Sequence, residues 1–307
     1  MASVTLVEAA KLSQNPLVAG VIENVITVNQ MFQVLPFQAI SGNAISYSRE
    51  NALGDVDVEP VGGTIAGKAA ATFTQVTSSL TTIIGDAEVN GLIQATMSNS
   101  GNDQTAIQVA SKAKSAGRKY QDMLINGTGA SDQFDGLLNL TAAGQQVDTG
   151  ANGSVFTFPI MDELMDLVTA KDGQVDYFCM NARTRRSYRS ALRALGGASI
   201  DETFELPDGG KVIAYSGVPV FRNDWIPIDD DKGTSTGVCG YIFAGCFDDG
   251  SQKVGLAGLT AANAAGIQVE DAGVSETKDE HIWRVKWYCG LALFSEKAIA
   301  YADGITN

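Results

Sequence analysis

Apolar positions change their spacing several times along the chain, and each change marks a different kind of element. In Leu6 to Val28, Pro16 interrupts any continuous helix, while Leu17, Val21, Ile22 and Val25 are spaced for a short amphipathic turn series. That segment reads as an arm. From Met31 to Ile84 short extended runs take over, at Phe32 to Ile40, Ala44 to Tyr47 and Ala70 to Ile84. Ser41-Gly42-Asn43, Asn51, Gly54 and Gly62-Gly63 separate them. Between Ser48 and Lys68 large apolar residues are sparse, and Glu50, Asp55, Asp57 and Glu59 share the stretch with four glycines. Such a segment adds little to the core of its own chain, which predicts a long two-stranded projection or a mobile loop.

Helical spacing begins after Asn99-Ser100-Gly101. From Asn102 to Asn126 there is no proline, and Val109, Ala113, Ala116, Tyr120, Met123 and Leu124 recur at steps of three and four, or nearly so. One long helix follows, with Asn102 or Asp103 as its cap and Asn126-Gly127 as a left-handed stop. Its small residues Ala110, Ala113, Ala116 and Gly117 let a neighbouring sheet or helix approach closely. Phe134 to about Gly266 then alternates helix and strand signals. Pro159 opens a helix that buries Ile160, Met161, Leu164, Leu167 and Val168 and ends at Gly173. Strand-like Val175 to Met180 leads to Asn181, a cap for a helix from Ala182 to Leu195 that Gly196-Gly197 stops. A hairpin turns at Pro207-Asp208-Gly209-Gly210, and further strands are expected at Val218 to Arg222 and Val238 to Phe243. In the tail, Trp283, Val285, Trp287, Cys289, Leu291 and Leu293 alternate with Arg284, Lys286 and Tyr288, the period of a long strand with one buried face.

Composition narrows what such a chain does. Its 307 residues suffice for a sizeable core, on the order of two domains at ~150 residues each. Charged residues make up only 18%, which leaves room for surface buried against partners. The net charge of -14 repels nucleic acid and anionic membrane at long range, which argues against a dedicated DNA-binding role. The N-terminus shows no basic region leading into an apolar core, hence no readable secretory signal. The longest apolar runs, Ser79 to Gly85 and Gly290 to Phe294, fall far short of the ~20 residues a spanning helix needs. Cys179, Cys239, Cys246 and Cys289 lack any Cys-x-x-Cys pair and read as small core residues in a reducing interior.

Candidate chemistry is thin. His281 is the only histidine, so any catalytic triad would have to use it, and it sits at the polar start of a strand beside Glu280. A multi-histidine metal site is ruled out by that count. Asp229-Asp230-Asp231 lacks calcium-loop spacing and reads as a solvated hairpin loop, and Asp248-Asp249-Gly250 reads as a turn. No phosphate-binding glycine motif occurs. No catalytic, cofactor or metal residue is assigned, and no cofactor is expected. Arg183, Arg185, Arg186, Arg189 and Arg193 concentrate positive charge on one helix. Three roles compete for it: contact with DNA phosphates, pairing with acids of an adjacent subunit, or solvation of the helix.

Six segments in order resemble the major capsid proteins of tailed bacteriophages, the Hong Kong phage-type shell fold. They are Leu6 to Lys11, Leu35-Pro36-Phe37, Tyr47 to Asn51, Asn102-Asp103-Gln104, Asn181 to Arg186 and Val285 to Ala292. The resemblance implies an α+β chain with an N-terminal arm at 1–34 and an extended-loop hairpin at 35–76. A peripheral domain would comprise 77–133 and 270–307, with the spine helix at 102–126, and an axial domain would span 134–269. It further implies a non-enzymatic subunit of hexamers and pentamers in an icosahedral virion, built in the host cytoplasm and enclosing double-stranded DNA without sequence-specific binding or any membrane. A portal protein would occupy one vertex. Scaffold would be a separate protein or absent, because the spine begins too early for a leading scaffold segment, and decoration proteins would be separate too. Candidate intersubunit contacts are Arg49, Glu50, Asp55, Asp57, Glu59 and Lys68 on the loop, with Arg185, Arg186 and Arg189 on the arginine helix. Lys68 is the loop's only lysine and lies near its base, so no lysine-asparagine crosslink is expected. The alternative is an encapsulin-like bacterial compartment, whose extended loop is usually shorter.

Overall fold

Two large sheets, and one long helix packed on the first of them, organise the chain. The computed structural model describes residues 31, 34–63, 67, 69–97, 103–169, 174–194, 203–206 and 210–306. Most of the expected arm, the possible cap Asn102, Lys68, the glycine stops near 173 and 196, and the turn at 207–209 lie outside them.

The first sheet is built around the strand Glu280–Leu293. Thr81–Asn90 runs antiparallel along one side of it, while Leu256–Ala261 and Gln268–Val274 share the other side, and Phe37–Ile40 adds in parallel beyond Leu256–Ala261. The expected buried face is present from Val285 on, with Val285, Trp287, Cys289, Leu291 and Leu293 all buried, whereas Trp283, expected with them, is only half-buried. On the opposite face Arg284 grips Asp86 of the neighbouring strand with two bonds of 2.8 and 3.0 Å, and Lys286 pairs with Glu270.

The long helix, Gln104–Asn126, packs across this sheet. Asp103 caps it by accepting from the Thr105 amide, the arrangement that satisfies an otherwise orphaned helix-end donor. Burial concentrates in its C-terminal half, at Ala116, Tyr120, Met123, Leu124 and Ile125. Tyr120 is the pin. Its ring lies 4.7 Å from Trp287, 5.3 Å from Phe134 and 5.8 Å from Phe37, and aromatic pairs of this kind add about 0.5–1.5 kcal/mol each beyond area burial. Gly117, expected to admit a close neighbour, instead faces open space, because the packed stripe runs through Ala116 and Tyr120.

The helix stop also differs from the sequence expectation. Gly127 has φ -59 and ψ 133, which any residue can adopt, rather than the left-handed conformation. It is glycine because the chain returns against it. A Cβ there would stand 2.2 Å from the Phe134 carbonyl oxygen, and one on Gly136 would stand 2.6 Å from the Gly127 nitrogen. The Gly136 amide donates to the Gly127 carbonyl at 2.8 Å, closing the loop 128–135 on itself.

The second sheet has eight strands, with Ser235–Gly245 flanked by Ile299–Thr306 and Tyr177–Met180 at its centre and Val218–Arg222 and Lys211–Tyr215 beyond the latter. Ile299–Thr306 was expected with the long helix. It hydrogen-bonds here instead, after the turn at Glu296–Ala298 carries the chain from one sheet to the other. Helices Phe158–Thr169 and Ala182–Ala194 cover one face of this sheet, the second capped by Asn181 as its sequence predicts.

Two variants test this packing. Gly127→Ala should cost about 1–3 kcal/mol, as overpacking does, read as a lower urea midpoint, although its φ is acceptable to alanine; an unchanged midpoint would refute the close-approach reading. Asp86 is held below the usual carboxylate range, chiefly by the Arg284 hydrogen bond. A depressed folded-state value contributes stability above the ordinary carboxylate pKa of about 4 and loses it as pH falls through the folded value. Asp86→Asn should therefore melt below the parent at pH 7 and converge with it under strong acid. Equal melting temperatures at pH 7 would contradict the assignment.

Candidate functional site

The strands Ala44–Ala52 and Thr72–Ser79 pair antiparallel and belong to neither sheet. Cross-strand bonds between Ser46 and Thr77 and between Asn51 and Thr74 hold the register, and the Asp55 amide continues the ladder to the Ala69 carbonyl. Toward the tip, among the described residues, large apolar side chains stand exposed. Leu53 is 78% exposed, Val56 91%, Val58 94% and Phe73 65%. A lone two-stranded ribbon is marginal in water, and large apolar side chains held this far out mark a surface that another molecule covers.

The base is fixed, by contrast. Tyr47 donates to the Leu293 carbonyl at 2.8 Å and sets its ring 5.0 Å from Phe294, edge-on. Arg49 reaches the same turn, donating to the carbonyls of Phe294 and Leu293 at 3.1 and 2.6 Å and to the Glu296 carboxylate at 2.9 Å. Ile45, Tyr47 and Leu80 close over a small cluster of Ile40, Ala257, Leu259, Ala292 and Phe294. The expected single run from Ala70 to Ile84 breaks at Leu80, where the chain leaves the ribbon and enters the first sheet.

The residues named from sequence fall into separate places. Arg49 is engaged within its own chain. Glu50, Asp55 and Asp57 are exposed along the ribbon, Glu59 is half-buried, and Lys68 lies outside the described residues. On the arginine helix Arg185 is half-buried, whereas Arg186 and Arg189 are exposed. Ribbon and helix pack on different sheets, so the structure does not bring them together. Sequence reading weighted the acids and passed over Val56 and Val58, although their period-two alternation with Asp55, Asp57 and Glu59 is itself a strand signal.

Reactive groups are placed structurally. His281 lies 3.4 Å from Asp271 on the first sheet. Burial pushes the Cys246 thiol up to about 11 and Cys289 up to about 12, away from nucleophilic thiolate. Asp230–Lys232 is a short strand rather than a loop, because it pairs with Ser235–Gly245. Asp248 is buried and accepts the amides of Gly250 and Gln252, the turn that its sequence suggests. Among the described residues no group of three His, Cys, Asp or Glu side chains could hold a metal, and no helix is long and apolar enough to cross a membrane.

No family model matches the sequence, and no curated protein matches it either. Solved structures do match. The SrpI encapsulin of Synechococcus elongatus PCC 7942 superposes with TM-score 0.75 at 19% identity, covering 99% of this chain and 97% of its own. A capsid chain of a native GTA particle gives 0.67 at 16% identity, covering 95% of each chain. The capsid chain of cyanophage P-SCSP1u gives 0.60 at 8% identity, over 97% and 94%. The chain therefore has the Hong Kong phage-type shell fold, an α+β architecture, as the resemblance implied.

Arg49→Ala removes three bonds at the ribbon base, and bonds from a charged donor contribute about 1.5–3 kcal/mol each at most. Amide exchange across residues 44–79 should accelerate while that of the long helix stays unchanged. Wild-type protection in the ribbon would show that Arg49 does not anchor it.

Proposed function

We propose that the chain is a non-enzymatic structural subunit that assembles with copies of itself into hexamers and pentamers of an icosahedral shell, the major capsid protein of a tailed-phage head. The ribbon at 44–79 carries this reading. It is anchored at its base, bare at its tip and joined to a fold whose solved relatives are shell proteins. Docking the tip on another copy removes Leu53, Val56, Val58 and Phe73 from water, and burial of such side chains contributes roughly 1.5–3 kcal/mol each. A contact in which one copy's projection meets a different surface of the next is head-to-tail, and such contacts close into rings.

The same reading makes the virion its location, with assembly in the host cytoplasm, double-stranded DNA as the enclosed content, a portal protein at one vertex, and scaffold and decoration proteins as separate chains. The acidic balance of -14 keeps enclosed DNA from adhering to the wall. A second reading, a bacterial compartment enclosing a protein cargo, is favoured by the TM-score of 0.75 to an encapsulin.

Electron microscopy of the purified chain tests the proposal. Closed particles are expected, and a chain that remains monomeric at high concentration, with no particle carrying it, would overturn it. Particle diameter and content, DNA or protein, separate the two readings. Deleting residues 51–67 should leave a monomer with wild-type circular dichroism that forms no particles, because the described residues of this stretch are exposed or half-buried and add little to either core. Unfolding of that variant would place the tip in the core.

A further inference from the structure

Helices Phe158–Thr169 and Ala182–Ala194 share one face of the eight-stranded sheet and meet where the Phe158 and Tyr188 rings lie 5.7 Å apart. The first turns Ile160, Met161, Leu164 and Val168 inward over Ser235–Gly245 and Ile299–Thr306. The second is held toward the other end of the sheet, where Tyr188 donates to the Ala214 carbonyl at 3.1 Å. Their outward stripes have opposite sign. Asp162, Glu163 and Asp166 are exposed on one, and Arg186, Arg189 and Arg193 on the other. Asp166 follows Asp162 and Glu163 by four and three residues, and the arginines follow one another by three and four, which keeps each set on one side of its helix. Among the described residues, no ion pair within the chain engages Glu163, Asp166 or these three arginines. Asp162 alone has a partner, the Tyr215 hydroxyl at 2.7 Å.

We propose that the arginine stripe of one copy docks on the acidic stripe of the adjacent copy, so that these two helices form a head-to-tail contact around each ring. The proposal rests on the shell reading above and names the partner surface within it. Geometry and charge both favour it. A two-fold contact centred on either helix alone would set like charges against each other, whereas the arginine stripe of one copy on the acidic stripe of the next opposes unlike ones. Both stripes are exposed on the same chain, so every copy offers both halves of the contact. In a chain of net charge -14, a local concentration of arginine finds complementary surface most readily on another copy of itself.

Charge reversal on the full-length chain tests this. R186E/R189E and E163R/D166R should each retain wild-type circular dichroism and form no particles at concentrations where the wild type does. The combined chain, with both stripes reversed, should recover particle yield to within about twofold, since unlike charges again face each other. The milder R186Q/R189Q keeps the test valid should a reversed chain misfold: its assembly should require a higher concentration. Normal assembly of the single-sign variants would overturn the proposal, as would failure of the combined chain to recover. Normal particles of R186E/R189E with less enclosed nucleic acid would assign the arginines to DNA and overturn it too. The shell reading itself fails only if the wild type forms no particles, a result visible in the same experiment.

Discussion

A two-stranded ribbon has no interior, and most of the molecule is arranged around that constraint. Its side chains can be covered only by something beyond the ribbon. Near the base that cover is the chain itself, where Tyr47 and Ile45 meet Phe294 and Leu259, and Arg49 satisfies the carbonyls of the turn between the two sheets. Farther out the ribbon passes the edge of its own core and Val56 and Val58 stand in water. Anchoring the base matters because a partner that captures a mobile loop bears the cost of ordering it, on the order of 1–2 kcal/mol per residue for the backbone. A ribbon already paired over eight residues presents its tip in place, which lowers that cost.

The anchor is only as rigid as what stands behind it. Leu293 and Phe294 continue the strand Glu280–Leu293, and that strand is clamped by Thr81–Asn90 and the Asp86–Arg284 pair on its flank and by the Tyr120–Trp287 contact on its face. The long helix thus stiffens the ribbon at one remove. Its closing loop serves the same end: Gly127 and Gly136 let two backbones cross closer than any side chain would permit, holding Phe134 against Tyr120. The strand then turns through Glu296–Ala298 into the second sheet, so the ribbon base sits where the two sheets share one continuous chain.

Elements with strong local signals were legible in the sequence. The helix cap at Asp103, the Asn181 cap, the alternation from Val285 to Leu293 and the coreless stretch after Ser48 are all set by nearby residues, and each is present. What escaped depends on distant ones. Leu256–Ala261 reads Leu-Ala-Gly-Leu-Thr-Ala, poor in β-branched residues, and becomes a strand because Phe37–Ile40 and Glu280–Leu293 pair on both its sides. Gly258 is small because Phe37 lies across it, with a Cβ position 2.6 Å from the ring. Gly127 signalled a left-handed stop by its type, while its reason lay in Phe134 returning from seven residues on. On the two outer helices, charge was legible and exposure was not: the arginines could be counted on one helix, but the acids on the other acquire meaning only once both helices share a sheet face.

The two surfaces differ in how they would specify assembly. An apolar ribbon tip supplies free energy with little directional preference, since burial of valine is worth much the same in any apolar groove. Opposed charge stripes supply the reverse, because exposed ion pairs contribute at most about 1 kcal/mol each while like-charge register errors cost several. A shell must reject wrong neighbours as firmly as it binds right ones, for a single misplaced copy prevents closure. Placing weak, sign-selective contacts on the rigid helices and the stronger, indifferent contact on the outreaching ribbon lets orientation be tested at the helices before the ribbon commits. Under the proposed docking, that division of labour gives a role to an arginine concentration in a chain that is otherwise strongly acidic.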